Sequence, residues 1–101
     1  MILYSVTVNI ENDTHQEWLQ WMKQVHIPDV MNTGLFKENK VLRLLTEVEG
    51  NTGTTYSVQY LCENMDKYYE YEKKHAPSLQ AVHHKRYVGK YVAFRTLLEV
   101  L

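Results

Sequence analysis

Apolar and polar residues alternate strictly along residues 2–10 of the chain. A period of two places every second side chain on the same face of a β-strand, so this segment predicts a strand with one apolar face. The same alternation recurs in three further segments, which are residues 35–49, 54–62 and 90–100. The chain therefore predicts four strands.

Two segments between these strands carry a helical pattern instead. After Thr14, apolar residues recur three or four positions apart, as on the buried face of a helix, and Thr14 with Glu17 matches a capping box. Pro28 disfavours helical geometry at the residue before it, so we expect this helix to stop or kink there. Asn64 is a suitable cap for a second helix, which meets Pro77 and is followed by another helical stretch.

The resulting order, β-α-β-β-α-β, predicts an α+β protein with the ferredoxin-like arrangement, as a single domain over residues 1–101. Right-handed crossovers then give a four-stranded antiparallel sheet with both helices on one face. The segments His26-Ile27-Pro28 and His75-Ala76-Pro77 each follow a helical stretch and lead to a glycine and a strand. This repetition fits two β-α-β halves.

Helices cover only one face of such a sheet. In each strand, we assign the more apolar of the two alternating sets of residues to that face. That assignment places Leu42, Leu44, Val92 and Phe94 under the helices. The opposite face, called the mixed face, is too apolar to be exposed to solvent and too polar to be buried in a core that excludes water. We expect it to form a homodimer interface, a ligand cleft, or both. It would carry Leu3, Ser5, Thr7, Asn9, Val41, Arg43, Leu45, Glu47, Thr55, Ser57, Gln59, Leu61, Tyr91, Ala93, Arg95, Leu97 and Glu99.

Composition narrows the class of protein. The 101 residues carry a formal net charge of −1 and no long basic or acidic block, which argues against nucleic acid or an anionic membrane as a partner. Cys62 is the only cysteine, which fits a reducing compartment. The first residues resemble a strand rather than a signal peptide, and no apolar run reaches the length of a membrane span. We expect a cytoplasmic protein.

His26 and His75 are the candidate catalytic bases, because histidine titrates near neutral pH. The alternative is structural, with each imidazole capping carbonyls where proline breaks the helix. Arg95 is the third candidate catalytic residue, since a guanidinium can orient an anionic oxygen, and Arg43 is its counterpart on the second strand. The alternative for both arginines is an ion pair with a glutamate four residues further on.

The predicted ligand-binding set lies on the mixed face. We expect no metal, because His83-His84 with His75 matches no zinc motif, and we expect no cofactor. Trp18, Trp21 and Cys62 are expected in the core. The ligand-binding candidates are Arg95, Arg43, Tyr91, Asn9, Ser57 and Gln59.

Several strings resemble an uncharacterised family of short bacterial proteins, catalogued as a domain of unknown function. More distantly, the chain is similar to the dimeric α+β barrel superfamily, which includes EthD-like proteins and antibiotic-biosynthesis monooxygenases. That resemblance implies sheets of two subunits packed together. The strings are Trp18-Leu19, Trp21-Met22, His26-Ile27-Pro28-Asp29-Val30-Met31, Thr33-Gly34-Leu35-Phe36, Thr55-Tyr56-Ser57-Val58-Gln59-Tyr60, His75-Ala76-Pro77 and Gly89-Lys90-Tyr91-Val92-Ala93-Phe94-Arg95-Thr96-Leu97.

Three functions remain open from the sequence. The first is a small-molecule-binding homodimer, in one version a cofactor-independent oxygenase or isomerase of a small aromatic or cyclic substrate. The second is a non-catalytic binding or interaction module. The third is haem binding, because haem-degrading members of the superfamily pair an asparagine on the first strand with a histidine on the second helix. Asn9 and His75 could take those places, although no tryptophan follows Trp21.

Overall fold

The computed structural model of the chain describes residues 1–46, 50 and 52–101. Its strands form one antiparallel sheet in the order β2-β3-β1-β4. This is the α+β, ferredoxin-like architecture that the sequence predicts. The strands are β1 (Ile2–Glu11), β2 (Glu38–Arg43), β3 (Gly53–Cys62) and β4 (Tyr91–Glu99).

Two helical connections cover one face of the sheet. The first consists of α1 (His15–Trp21), a π-helical turn (Met22–His26) and α2 (Ile27–Met31), and the second consists of α3 (Met65–Lys74) and α4 (Ala76–Tyr87). No helix within the described residues is long and apolar enough to cross a bilayer.

The two predicted helix caps have different outcomes. The side chain of Asn64 accepts a hydrogen bond from the amide of Lys67 at 3.0 Å, which confirms this cap. The capping box is wrong, because Thr14 makes no side-chain bond to a helix amide. Its hydroxyl donates to Asp13 at 2.9 Å, and Glu17 is bound to α4 instead.

The second strand is shorter than the predicted residues 35–49. Leu35 and Phe36 precede it and are buried in the core, where the Phe36 ring lies 4.9 Å from the ring of Tyr71. Residues 47–49 of that predicted strand lie outside the described residues, as does Asn51 of Gly50-Asn51-Thr52-Gly53, a sequence typical of a hairpin turn. Packing of Phe36 among tyrosines therefore replaces part of the expected ladder.

The core lies between the helices and the sheet. Trp18 and Cys62 are completely buried there, as predicted, and Trp21 is partly buried. The sheet contributes every second residue of β1 and β3 to the core. The buried face that alternation predicts for each of these two strands is confirmed. These residues are Tyr4, Val8, Ile10, Tyr56, Val58, Tyr60 and Cys62.

The predicted faces of the two edge strands are wrong. Arg95 lies opposite Val6 and Arg43 lies opposite Tyr56, so both arginines share the helix-covered side with the core. Tyr91 and Ala93 also pack against the core. Conversely, Phe94 lies on the uncovered side, where it is 63% exposed. Both alternating sets of residues in β4 contain apolar side chains. The more apolar set is therefore not the one that lies under the helices.

The uncovered side, called the open face, has a polar centre and apolar edges. Ser5 and Ser57 hydroxyls lie 3.2 Å apart across the two central strands, and Asn9 donates to the Thr55 hydroxyl at 2.9 Å. Gln59 donates to the Ser57 hydroxyl at 3.2 Å. The open face carries Leu3, Ser5, Thr7, Asn9, Lys40, Leu42, Thr55, Ser57, Gln59, Leu61, Val92, Phe94, Thr96 and Leu98.

Candidate functional site

A cavity lies between the sheet and the helices, on the side opposite the open face. Its volume is about 40 Å³. One water molecule needs roughly 10–15 Å³ on this measure, so the space holds a few waters or the head group of a ligand. Its walls are aromatic and aliphatic with a few polar groups. They are formed by Tyr4, Val6, Val8, Met22, His26, Val30, Val58, Tyr60, Tyr71, Gln80, His83, Tyr91, Ala93 and Arg95.

The π-helical turn places His26 on the cavity wall. In this turn the amide of Ile27 bonds to the carbonyl of Met22, five residues earlier. Pro28 has no N–H to donate and its ring crowds the preceding turn, so a wider turn accommodates it without ending the helical path. The expected break at Pro28 is therefore a π-helical turn followed by α2. Such turns are frequent at functional sites.

His26 is packed among aromatic rings. Its ring stacks on Trp21 with centroids 5.3 Å apart and meets the edge of His83 at 5.7 Å. Burial lowers the pKa of His26 to about 4, with Asp29 opposing the shift and the charge of Arg95 adding to it. His26 is therefore neutral at physiological pH and can accept a proton or a hydrogen bond.

His83 enters the cavity from α4. Its Nε2 accepts a hydrogen bond from the indole nitrogen of Trp18 at 2.9 Å, and its ring meets Tyr91 edge-on at 4.7 Å. Burial, together with the neighbouring His26 and Arg95, lowers the pKa of His83 to about 4. The cavity thus contains two neutral imidazoles.

Arg95 supplies the positive charge of the site. It lies on β4 on the helix-covered side, and its side chain lines the cavity while remaining exposed. Burial raises the pKa of Tyr4, and hydrogen bonding to Arg95 and Gln80 opposes that rise. Arg95 therefore lies where the cavity meets solvent, with its charge next to a neutral tyrosine hydroxyl.

Three further tyrosines contribute hydroxyl groups to the cavity wall, namely Tyr60, Tyr71 and Tyr91. Burial raises the pKa of both Tyr60 and Tyr71. The hydroxyl of Tyr91 lies 2.8 Å from Nδ1 of His84, a histidine on the solvent side of α4. Tyr91 therefore connects the cavity wall to an exposed imidazole.

A polar contact between α1 and α4 lies beside the cavity. Arg86 bonds to Glu17 at 2.6 Å, and the hydroxyl of Tyr87 donates to the same carboxylate at 2.9 Å. The Arg86 guanidinium also lies 5.2 Å from the ring centre of Trp21. Hydrogen bonding to Arg86 lowers the pKa of Glu17, so this carboxylate stays charged. The contact positions the helices that carry His26 and His83.

Three of the predicted site residues meet in the cavity. They are His26, Arg95 and Tyr91. His75 does not join them. It lies at the break between α3 and α4, where its ring is 6.5 Å from Tyr71 and its carbonyl accepts from Ser78.

The remaining candidates lie elsewhere. Arg43 lines an open groove at the end of β2, beside Leu44 and Thr55. Asn9, Ser57 and Gln59 lie on the open face, where Asn9 donates to Thr55 and Gln59 donates to Ser57. Asn9 and His75 are thus on opposite sides of the sheet, so they cannot bind one haem together within a subunit.

Sequence reasoning missed Tyr4, Tyr71, Gln80 and His83 as cavity residues. Gln80, His83 and Tyr87 follow one another at helical spacing on α4, a pattern that could have marked an inward polar stripe. From the sequence, His83 is a candidate only for a metal ligand. The described residues contain no group of three or more histidine, cysteine or acidic side chains suited to a metal.

Solved structures share this fold at low sequence identity. An ethyl tert-butyl ether D (EthD) family protein from Bacillus halodurans has a TM-score of 0.72 at 11% identity, covering 100% of both chains. HapK from Hahella chejuensis has a TM-score of 0.72 at 10% identity, covering 100% of this chain and 93% of its own. A dimeric ferredoxin-like protein from an uncultured marine organism has a TM-score of 0.70 at 13% identity, covering 100% and 95%. These likenesses establish the fold alone.

The sequence comparisons add a family but no activity. No curated protein matches the chain. A family model described as "Domain of unknown function (DUF4286)" matches residues 1–101, the whole of the sequence. The chain therefore belongs to the DUF4286 family.

Proposed function

We propose that this protein is a homodimer that binds a small molecule in the cavity between its helices and its sheet. The observation that carries the proposal is the convergence of Arg95, His26 and His83 on one space with aromatic walls. Enclosed, mostly apolar spaces with a few convergent polar groups are the usual form of ligand sites. Strongly shifted histidines in such a space also favour a functional role.

The cavity suits the head group of a ligand rather than a whole large molecule. A volume of about 40 Å³ takes a few non-hydrogen atoms. Because Arg95 is exposed at the cavity, the remainder of a small aromatic or cyclic compound can extend past it. Such a compound would place its polar end among the histidines.

Proton transfer is the chemistry that these residues could perform. The neutral imidazole of His26 can accept a proton from a bound acid or an activated C–H group, and Arg95 can hold the oxygen that gains charge. This pair favours the isomerase or cofactor-independent oxygenase version of the proposal over a purely passive binding module. His26→Gln should then retain binding and lose turnover.

The open face supports the homodimer. Five polar side chains at its centre already bond to one another, which lowers the cost of covering them with a partner. They are Ser5, Asn9, Thr55, Ser57 and Gln59. The edges of this face expose Val92 and Phe94 on β4, Leu42 on β2 and Leu44 directly after β2. An apolar rim around a centre of polar groups that bond to one another fits a second copy of the same face, related by a two-fold axis. The similarity to a dimeric ferredoxin-like protein agrees with this arrangement.

Ligand binding can be tested with Arg95→Gln. Screening of small aromatic and cyclic acids, amides and alcohols by ¹H–¹⁵N NMR should give shifts around His26, His83 and Arg95. Loss of the guanidinium should weaken acidic hits about tenfold or more, because bonds from charged donors contribute roughly 1.5–3 kcal/mol.

Lys85→Gln is the matched control, since it removes one positive charge from the exposed side of α4. It should leave binding unchanged. Shifts that map to the open groove beside Arg43 instead, or equal binding by the Arg95→Gln protein, would contradict the proposed site.

A further inference from the structure

The hydrogen bond between Trp18 and His83 fixes which nitrogen of His83 carries its proton. An indole N–H can only donate, so the Nε2 atom that accepts it at 2.9 Å is unprotonated. A neutral imidazole then holds its proton on Nδ1. Trp18 is completely buried, so the core holds this arrangement in place.

The Nδ1–H of His83 remains available to a ligand. Among the described residues, the indole of Trp18 is the hydrogen-bond partner of His83, and it occupies Nε2. The ring itself lines the cavity. His83 is thus a donor towards bound molecules, and cannot act as a base there without losing its bond to Trp18.

We propose that the cavity recognises an anionic oxygen of its ligand, such as a carboxylate or enolate, through Arg95 and the Nδ1–H of His83. Trp18 is then a positioning residue, which selects the donor tautomer of His83. This inference rests on the proposed function, because it names the class of ligand for the same cavity. If the Trp18–His83 pair had only a structural role in the core, acetate binding would not depend on the nitrogens of His83.

The charges around the cavity favour an anion. Among the described lining residues there is no aspartate or glutamate, and Arg95 is the permanently charged side chain. Two carboxylates act on residues of the core from outside the lining. Glu72 accepts from the hydroxyl of Tyr68 at 3.1 Å, and Asp29 acts on His26 from α2. An anion would therefore find donors on several sides and no direct repulsion from a lining carboxylate.

His26 has the complementary role. The described residues provide no hydrogen bond to its imidazole, whereas that of His83 is engaged by Trp18. Its unprotonated nitrogen can accept from an acidic O–H or C–H of the same ligand. The two histidines of the cavity therefore differ in function, with one donor and one acceptor.

The tautomer of His83 can be measured without any ligand. A long-range ¹H–¹⁵N NMR correlation at neutral pH should show the Nδ1–H form for His83. Trp18→Phe should release this preference and give a mixed or Nε2–H pattern. An Nε2–H signal in the unaltered protein would overturn the inference, and this measurement stands even where the Trp18→Phe protein fails to fold.

The charge preference can be measured with acetate and acetamide, two probes of nearly equal size that fit the cavity. Acetate should bind with a dissociation constant on the order of 1 mM, as expected for so few atoms, and acetamide at least tenfold more weakly. His83→Phe keeps a ring and removes both nitrogens. It should weaken acetate about threefold or more and acetamide by a smaller factor, because a hydrogen bond to a charged acceptor contributes more than one to a neutral carbonyl.

The outcomes separate this inference from the proposed function. Equal binding of acetate and acetamide in the cavity would overturn anion recognition and leave small-molecule binding intact. Absence of binding by acetate, acetamide and every compound of the fragment screen would overturn both. Lys85→Gln should behave as the unaltered protein with both probes, and acetate weakened equally by this variant would mean that only the overall charge matters.

Discussion

Phe94→Asp should convert the protein from a dimer to a monomer. Phe94 is 63% exposed on the open face, where the proposed partner would cover it. The substitution removes a large apolar contact and places a carboxylate in the interface. We expect a loss of roughly 3 kcal/mol per subunit. A two-fold dimer contains each substitution twice, so the dissociation constant should rise about 10⁴-fold.

Light scattering coupled to size-exclusion chromatography over a range of micromolar concentrations measures this change. The matched control is Val82→Asp. Val82 is an apolar residue on α4 that is 55% exposed on the helical side of the molecule. The control should remain dimeric. A monomeric unaltered protein at micromolar concentration, or a dimeric Phe94→Asp protein, would refute the interface.

The proposed dimer also explains why the faces of the edge strands could not be read from the sequence. Alternation in β1 and β3 identifies the buried set, because the opposite set there is polar. In β4 both sets contain apolar residues, and the larger exposed ones, Val92 and Phe94, resemble core. Hydrophobicity along one chain cannot distinguish a face covered by helices from one covered by a second subunit.

The architecture, by contrast, was predictable from local signals. The alternation of β1, the cap at Asn64 and the order of the elements were sufficient for the ferredoxin-like fold, because they depend on neighbours along the chain. The cap at Thr14 failed because tertiary contacts compete for its partner. Glu17 binds Arg86, which lies 69 positions away.

The site was only partly predictable for the same reason. Residue type alone points to His26 and Arg95, but the alternation of β4 predicts the wrong face for Arg95. The pairing of His83 with Trp18 spans 65 positions and depends on how α4 packs against α1. The duplicated His-x-Pro segments also diverge. One forms the π-helical turn that presents His26, and the other ends α3 at His75.

Acidification should destabilise the protein through His26 and His83. Burial lowers the pKa of both to about 4, from an ordinary value of 6.5. Between these values the unfolded chain binds more protons than the folded one, so the free energy of unfolding falls as pH falls from about 6.5 to 4. The full shift corresponds to roughly 3 kcal/mol per histidine, and solvent reaching the rings screens part of it. We therefore expect a loss of about 2–4 kcal/mol for the pair.

The charged groups near the two histidines determine how steeply the free energy of unfolding falls as the pH falls. Asp29 opposes the shift at His26, whereas Arg95 disfavours the charged form of both rings and His84 adds to the effect at His83. Protonation of one ring also disfavours the other, because their centroids are 5.7 Å apart. The second proton should therefore enter at a lower pH than the first.

Urea denaturation across this pH range gives the measurement. In the double variant His26→Gln with His83→Gln, the free energy of unfolding should change little with pH above about pH 4.5, whatever the stability of the variant at neutral pH. Glu17→Gln separates the carboxylate contribution. The pKa of Glu17 is lowered from 4.5, so its stabilising effect is present above that pH and is lost only below it. A flat profile in the unaltered protein between about pH 6.5 and 4.5, or an unchanged slope in the double variant, would contradict the neutral histidine pair on which both ligand recognition and proton transfer depend.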